Sequence, residues 1–175
     1  NEIGVQNSID PSFLQYEGRN YLVWGSFRGI YVIELTEDGL SLKPGAEKKR
    51  IAGTAFEAAY IHKHGDYYYM FASIGSCCEG IRSTYKVVVG RSKKVWGPYK
   101  DKSGKPMLKN GYSLVIGAND HFVGNGHGSQ IIQDDAGQDW LLYHGFSRST
   151  PENGRILLLD QIKWDQEGWP YVEGG

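Results

Sequence analysis

Cysteine is nearly missing from this sequence: Cys77 and Cys78 are the only two among 175 residues, and they are neighbours. Adjacent cysteines cannot staple distant parts of a chain, so no disulfide framework organises the fold, and the pair says little about redox compartment. Two small buried thiols are the ordinary expectation for it, with a vicinal disulfide as the rarer alternative. Long apolar runs are missing as well. No stretch approaches the roughly 18–20 apolar residues of a membrane helix, and the first residues lack the charged-then-apolar layout of a signal peptide, although a cleaved signal would leave no trace. Charge of either sign is not in excess. A formal net charge of −1 gives no electrostatic reason to expect a nucleic-acid or membrane partner. The most basic run, Lys48-Lys49-Arg50, follows Glu47 and reads as a solvated loop between strands. No HxxxH, HExxH or Cys/His cluster marks a zinc site, no G-x-S-x-G elbow marks a serine hydrolase, and the glycine-rich stretches lack the lysine of a phosphate loop.

What is abundant is glycine, with 24 residues, together with 12 tyrosines and 5 tryptophans. That mixture favours many short strands joined by tight turns. Aromatic rings also line sugar clefts, where a ring face stacks on the C–H face of a pyranose or furanose, and half-buried strands use them equally well. No window carries an apolar stripe at helical spacing without interruption, so the chain is all-β. A hydrophobic share of 40% with 22% charge suits one domain with a real core.

One phrase occurs three times. Asp10 opens a strand that turns at Glu17-Gly18-Arg19-Asn20 into Tyr21-Leu22-Val23-Trp24; Glu57 opens one that turns at His64-Gly65-Asp66 into Tyr67-Tyr68-Tyr69-Met70. His127 opens one that turns at Asp135-Ala136-Gly137-Gln138 into Asp139-Trp140-Leu141-Leu142. Asp, Glu and His thus hold equivalent places, 47 and then 70 residues apart, which marks a repeated β-unit. Equivalent positions in a radially repeated sheet converge on an axis, so a propeller would gather Asp10, Glu57 and His127 in one central pocket. The expected organisation is a single partial propeller domain over 1–175, with four-stranded blades roughly at 7–50, 51–105 and 120–175. In the first, Gly29–Leu35 is the third strand and Leu40-Ser41-Leu42 the fourth. Known propellers close with about four to eight blades, so the remaining blades are expected from an upstream segment, a second chain or a homo-oligomer. Residues 1–6 read as the tail of something longer.

Three residues invite chemistry. Pro11 keeps Asp10 extended and removes a backbone donor, which suits a carboxylate pointed at a pocket; a turn cap is the plainer role. Glu57 lies among Phe56, Ala58 and Ala59, and a carboxyl desolvated there could stay protonated as a general acid. His127, between Gly126 and Gly128, sits on backbone that can approach a ligand or ion closely, or is simply an exposed turn histidine. Two carboxylates from different blades with aromatics around them suit glycoside cleavage better than any other reaction class.

The ordered set Ser8-Ile9-Asp10-Pro11-Ser12, Trp24-Gly25-Ser26-Phe27, Phe56-Glu57-Ala58, Cys77-Cys78 with Ser83-Thr84-Tyr85, Val89-Gly90-Arg91-Ser92, Gly97-Pro98-Tyr99 and Gly126-His127-Gly128 closely resembles family 43 glycoside hydrolases of the endo-1,5-α-L-arabinanase type. The resemblance implies a five-bladed β-propeller of which this chain supplies about three blades, and cleavage of arabinan or arabino-oligosaccharides with inversion. It implies Glu57 as general acid, Asp10 as the carboxylate that orients that acid and tunes its protonation, and Ser26 and Phe27 as residues lining the arabinose subsites. It also implies His127 beside a calcium ion held largely by water. Two departures stand out: the family's general base is an Asp at the start of the first blade, upstream of anything here, and the usual Gly-Pro-Gly-His is Gly124-Asn125-Gly126-His127. An exo-acting arabinofuranosidase or xylosidase of the same family, and a non-catalytic sugar-binding or structural propeller fragment, are the alternatives. A plant cell-wall polymer as substrate implies secretion or a periplasm.

Overall fold

Alternating burial explains the first sheet, since successive residues of a half-buried strand point to opposite faces. A computed structural model describes residues 4–173; Asn1, Glu2 and Ile3, read above as part of a tail, lie outside the described residues. The chain divides into two compact units, 4–71 with 90–112, and 72–89 with 113–173. In the first unit β1 (Ser12–Tyr16), β2 (Arg19–Trp24), β3 (Ile30–Glu34) and β4 (Lys49–Ala52) pair antiparallel in chain order. Register is set by Phe13 opposite Leu22, Tyr21 opposite Glu34 and Val32 opposite Lys49, with a bulge at Ile30/Tyr31. Val23, Ile30 and Val32 are buried on one side of this sheet. Trp24 and Ile33 form with Val5 a second buried cluster.

The fourth strand is therefore not Leu40–Leu42. Asp38 Oδ1 accepts hydrogen bonds from the Thr36 hydroxyl at 2.6 Å and the Leu40 amide at 3.0 Å, which closes a tight turn and leaves Leu40 84% exposed. Only Leu35 and Leu42 then bridge. Lys49 and Arg50, expected in a solvated loop, instead pair with β3; their side chains stay exposed while Ile51 and Ala52 are buried. A lysine at a sheet edge keeps that edge from pairing with another chain.

The next strands are β5 (Glu57–His64), β6 (Tyr67–Ile74) and β7 (Lys86–Ser92), adjacent in the order β5-β6-β7. The first unit's part of them is packed with rings: Tyr60 stacks on Phe71 at 5.2 Å, Tyr16 meets Tyr68 edge-on at 4.9 Å and Tyr21 meets Trp96 at 5.1 Å. Such pairs add stability beyond the area they bury.

In the second unit β8 (Ser113–Ile116) pairs antiparallel with β7, and β9 (Phe122–Gly126) pairs parallel with it. From β9 the sheet continues through β11 (Asp139–Ser147) and β12 (Arg155–Trp164) to β13 (Pro170–Val172), with the two-residue β10 (Ile132–Gln133) beside β11. Asp139, nearly buried, accepts the Trp164 indole N–H at 2.8 Å and the Gln133 amide at 3.2 Å, which ties β10 and β12 to the start of β11. The described residues contain no α-helix, only three short 3-10 turns, so the all-β expectation holds.

Candidate active site

Backbone strain collects around the predicted carboxylates. Seven non-glycine residues have positive φ among the described residues, and four of them, Asn7, Asp10, Phe27 and Ala58, surround this site. Left-handed backbone is costly for a side chain such as that of Phe27, and such strain persists only where surrounding bonds hold it. Those bonds are present. The Asp10 carboxylate Oδ2 accepts the Ala58 amide N–H at 2.9 Å, and the Phe27 amide donates to the Phe56 carbonyl at 2.8 Å. Asn7 Nδ2 donates to the Ser26 carbonyl at 2.8 Å, and Ser12 Oγ donates to the Ala59 carbonyl at 2.9 Å. Gly25 permits the turn: its φ is +124°, and a Cβ there would lie 2.2 Å from the Gly29 carbonyl oxygen.

Glu57, the first residue of β5, is half-buried, and its Oε2 accepts the hydroxyl proton of Ser26 at 3.0 Å. Ser26 itself is 1% exposed. The first unit thus brings together Asp10, Ser26, Phe27 and Glu57: Ser26 grips the Glu57 carboxyl, and Asp10 grips the amide next to it. Asp10 and Glu57 act on the same short segment, one from its backbone and one as its side chain. Asn7 and Ser12 complete the arrangement and were not singled out beforehand. Their hydrogen bonds span 19 and 47 residues, which no local pattern encodes.

His127 belongs to the second unit. It does not open a hairpin; it follows the last residue of β9 and is exposed, with φ +52°. Its amide donates to Ser73 Oγ at 2.8 Å, and the Tyr85 phenol reaches its Nδ1 at 3.5 Å. Close approach by Tyr85 needs Gly126, where a Cβ would lie 2.2 Å from the ring. His144 stacks with both, its ring 5.7 Å from that of Tyr85 and 6.2 Å from that of His127. Burial first, then the charges of Arg155 and His127, pushes the His144 imidazole down to about 4, so it is neutral at pH 7. Asn125, where the resemblance leads one to expect proline, is fully buried and donates to the Gly117 carbonyl at 2.7 Å. Its side chain thereby ties β9 to the loop before it.

The donor set around His127 is one imidazole, one phenol and one hydroxyl. Calcium takes six to eight oxygen ligands, so this set fits such an ion only with water supplying most of the shell. The carboxylate-and-histidine groupings of the described residues do not include His127.

Cys77 and Cys78 form a vicinal disulfide rather than two buried thiols. The reason is their place: they lie on the 75–84 loop, Cys77 half-buried and Cys78 exposed, where no apolar pocket shelters a thiol. Arg155 Nη1 lies 3.9 Å from Cys78 Sγ.

An all-β chain with a gripped glutamic acid at the start of one strand and a companion aspartate just ahead of another has the make-up of a glycosidase site. The sequence pattern of glycosyl hydrolases family 43 matches residues 1–170, and the chain belongs to that family. It is 38% identical, over 95% of its length and 52% of the relative's, to an extracellular exo-α-(1→5)-L-arabinofuranosidase of Cellvibrio japonicus. It is 37% identical, over 94% and 50%, to an extracellular endo-α-(1→5)-L-arabinanase of Bacillus subtilis. Among solved structures, the α-L-arabinanase of Cellvibrio cellulosa complexed with arabinohexaose matches with a TM-score of 0.87 and 35% identity, over 94% of this chain and 56% of that one. The chain spans about half the length of the curated relatives it matches. The expected fold class stands: all-β, of the five-bladed propeller family, with this chain supplying about three of the blades.

Proposed function

We propose that the protein to which this chain belongs is an extracellular glycoside hydrolase that cleaves α-1,5-linked arabinan with inversion, with Glu57 as its general acid. The observation that carries this reading is the Ser26–Glu57 hydrogen bond of 3.0 Å, backed by the Asp10 bond to the Ala58 amide. An acid must be aimed at the leaving oxygen before it can donate, and fixed geometry supplies much of an enzyme's advantage. Ser26 fixes the rotation of the Glu57 carboxyl, and Asp10 fixes the backbone that carries it. Phe27 offers a ring to the sugar. The general base and the remaining blades are placed in parts of the protein outside this stretch, in line with the half-length match to the relatives. Names of the relatives divide between exo and endo action at almost equal identity. The distribution of early products from linear arabinan separates the two.

The test is Glu57→Gln in the full-length protein. Turnover of linear 1,5-arabinan should fall by about 10²–10⁴-fold, the usual worth of a positioned acid, while an arabinoside with a good leaving group is still cleaved. Equal loss on both substrates would remove Glu57 from the role of acid, and NMR of the first-formed anomer decides inversion.

We also propose that His127 holds a calcium ion through its imidazole with water completing the shell; when bound, the ion supplies positive charge beside the Tyr85 phenol and the Ser73 hydroxyl. Weak protein ligation means the fold does not depend on it. Chelation should therefore remove about one calcium per chain by metal analysis and lower activity before it lowers Tm, and His127→Ala should abolish the metal content. A protein that melts at once on chelation, or retains calcium without His127, would contradict this assignment.

A further inference from the structure

Segment 90–112 lies wholly in the first unit. It holds seven Lys and Arg against one acid, Asp101, a formal +6 in a chain whose total is −1, so the rest carries −7. No run of lysines announces it, because Val95, Trp96, Gly97, Pro98 and Tyr99 interrupt the charges. Lys93, Lys94, Lys100, Lys102, Lys105 and Lys109 are all exposed.

The backbone gathers several of these charges on one face. Arg91 and Lys100 exchange hydrogen bonds of 2.8 and 2.9 Å, and Lys100 in turn bridges Pro106. Directly opposed residues of an antiparallel pair project to the same side, so Arg91 and Lys100 share a face. Below it lies the ring of Tyr67, with the Arg91 guanidinium 4.3 Å and the Lys93 ammonium 5.6 Å from its centroid. Cations at that range are drawn to the ring face. The single acid is turned into the loop: Asp101 Oδ1 accepts the Ser103 amide, the Ser103 hydroxyl and the Lys105 amide at 2.7–2.9 Å. Lys102 and Lys105 stand on that same turn.

We propose that this face of the first unit, built from Tyr67, Arg91, Lys93 and Lys100, with Lys105 on the adjoining turn, and separate from the residues of the Asp10–Glu57 site, docks a carboxylated polysaccharide. Spaced, flexible ammonium groups match a polymer bearing one carboxylate per sugar, and the Tyr67 ring beneath Arg91 and Lys93 holds two of the cations together. The charge of −7 elsewhere disfavours wrapping by a polyanion as dense as duplex nucleic acid, which carries a charge every ~1.7 Å. The choice of polysaccharide rests on the proposed arabinan activity, since an enzyme of cell-wall polymers meets charged and neutral chains together. Docking to the charged chain would hold the enzyme near neutral substrate without touching its chemistry.

Affinity electrophoresis of the full-length protein in gels containing polygalacturonate tests this, with hydrolysis of neutral linear arabinan measured in parallel. The unmodified protein should be retarded at low salt and released by roughly 0.3 M NaCl, as expected for exposed charges. A Lys93→Gln/Lys100→Gln/Lys105→Gln triple variant should bind about tenfold more weakly, while Lys163→Gln in the second unit behaves as the unmodified protein and all variants keep arabinan turnover. Absence of retardation, equal retardation of the triple variant, or duplex DNA binding as tightly as polygalacturonate overturns the proposal. Retardation without arabinan turnover in the unmodified protein sustains the docking surface and overturns the catalytic reading instead.

Discussion

A carboxylate bonded to a backbone amide does two separable things: it accepts a hydrogen bond and it places a negative charge. Asp10 does both for the Ala58 amide, and two substitutions divide them. Asp10→Ala removes acceptor and charge, leaving a left-handed Ala58 without its tether. It should cost about 1–3 kcal/mol of stability by denaturant melting, the range for a charge-assisted hydrogen bond. Asp10→Asn keeps an acceptor oxygen and should recover most of that loss. If the two variants melted alike, the tether would not be what holds the segment. At this scale the sequence was readable where an acid stood out against its neighbours, Glu57 among Phe56, Ala58 and Ala59 and Asp10 before Pro11, although Asp10 has a left-handed φ of 54° and not the extended backbone expected before proline. It was unreadable where a residue acts through distant backbone, as Ser12 does on Ala59 and Ser73 on His127. The lysines of 93–109 were equally hidden, because scattering among glycine, proline and aromatics breaks the run that charge patterning looks for.

Elements of this chain are joined by one turn design used repeatedly. Asp101-Lys102-Ser103-Gly104-Lys105, Asp134-Asp135-Ala136-Gly137-Gln138 and Asp165-Gln166-Glu167-Gly168-Trp169 each place an Asp Oδ1 on the amides two and four residues ahead. In each, the glycine amide returns to the Asp carbonyl at 2.9–3.0 Å. An Asx turn closed by a left-handed glycine is a local device, and one of the three was visible in the sequence, at Asp135-Ala136-Gly137-Gln138. The long pairing of β3 with β4, across the 35–48 loop, was not. In the Asp134 turn the Trp140 indole N–H adds a bond to Oδ2 at 2.8 Å. That bond, then the amides of Gln138, Ala136 and Gly137, hold the Asp134 carboxyl below its ordinary value. With the folded value depressed, the contribution of Asp134 is fully present above the unfolded value of about 3.9 and is lost as pH falls through the lower folded one. The Trp140 indole N–H resonance should hold its hydrogen-bonded shift at pH 4.5 and move only below about 3.9. A shift that titrates nearer pH 5 would mean the turn is not gripped in this way.

For the whole molecule, the informative surface is apolar rather than charged. Leu157 and Leu159 of β12 are 73% and 55% exposed, and Ile132 of β10 is 51% exposed. Leu159 stands opposite Leu142, and Leu157 opposite His144. Because β10 and β12 flank β11, these side chains make an apolar stretch of a kind soluble proteins seldom leave open. On the function proposed above, the blades outside this stretch would cover that face, in line with the half of each curated relative that lies beyond the matched region. A 1–175 fragment should then bind an apolar fluorescent dye strongly, the full-length protein weakly, and Leu157→Gln/Leu159→Gln should quench the fragment's signal. Equal dye binding by fragment and full-length protein would mean that nothing covers the face. Fold class was legible at this scale from repetition and glycine-rich turns; the source of further blades was not, because a repeated unit says what its neighbour looks like and nothing about which segment or chain supplies it.

The joined pair Cys77–Cys78 has a practical consequence. All the thiol chemistry of this stretch is confined to one loop, with Cys78 at the surface, so gentle reduction followed by a bifunctional maleimide would staple a single probe there through two bonds. The label would be chemically uniform without any cysteine having to be introduced or removed. Arg155 of β12, already within 3.9 Å of Cys78, would sit beside it, which makes the position suited to tethering the second unit to a solid support in one orientation.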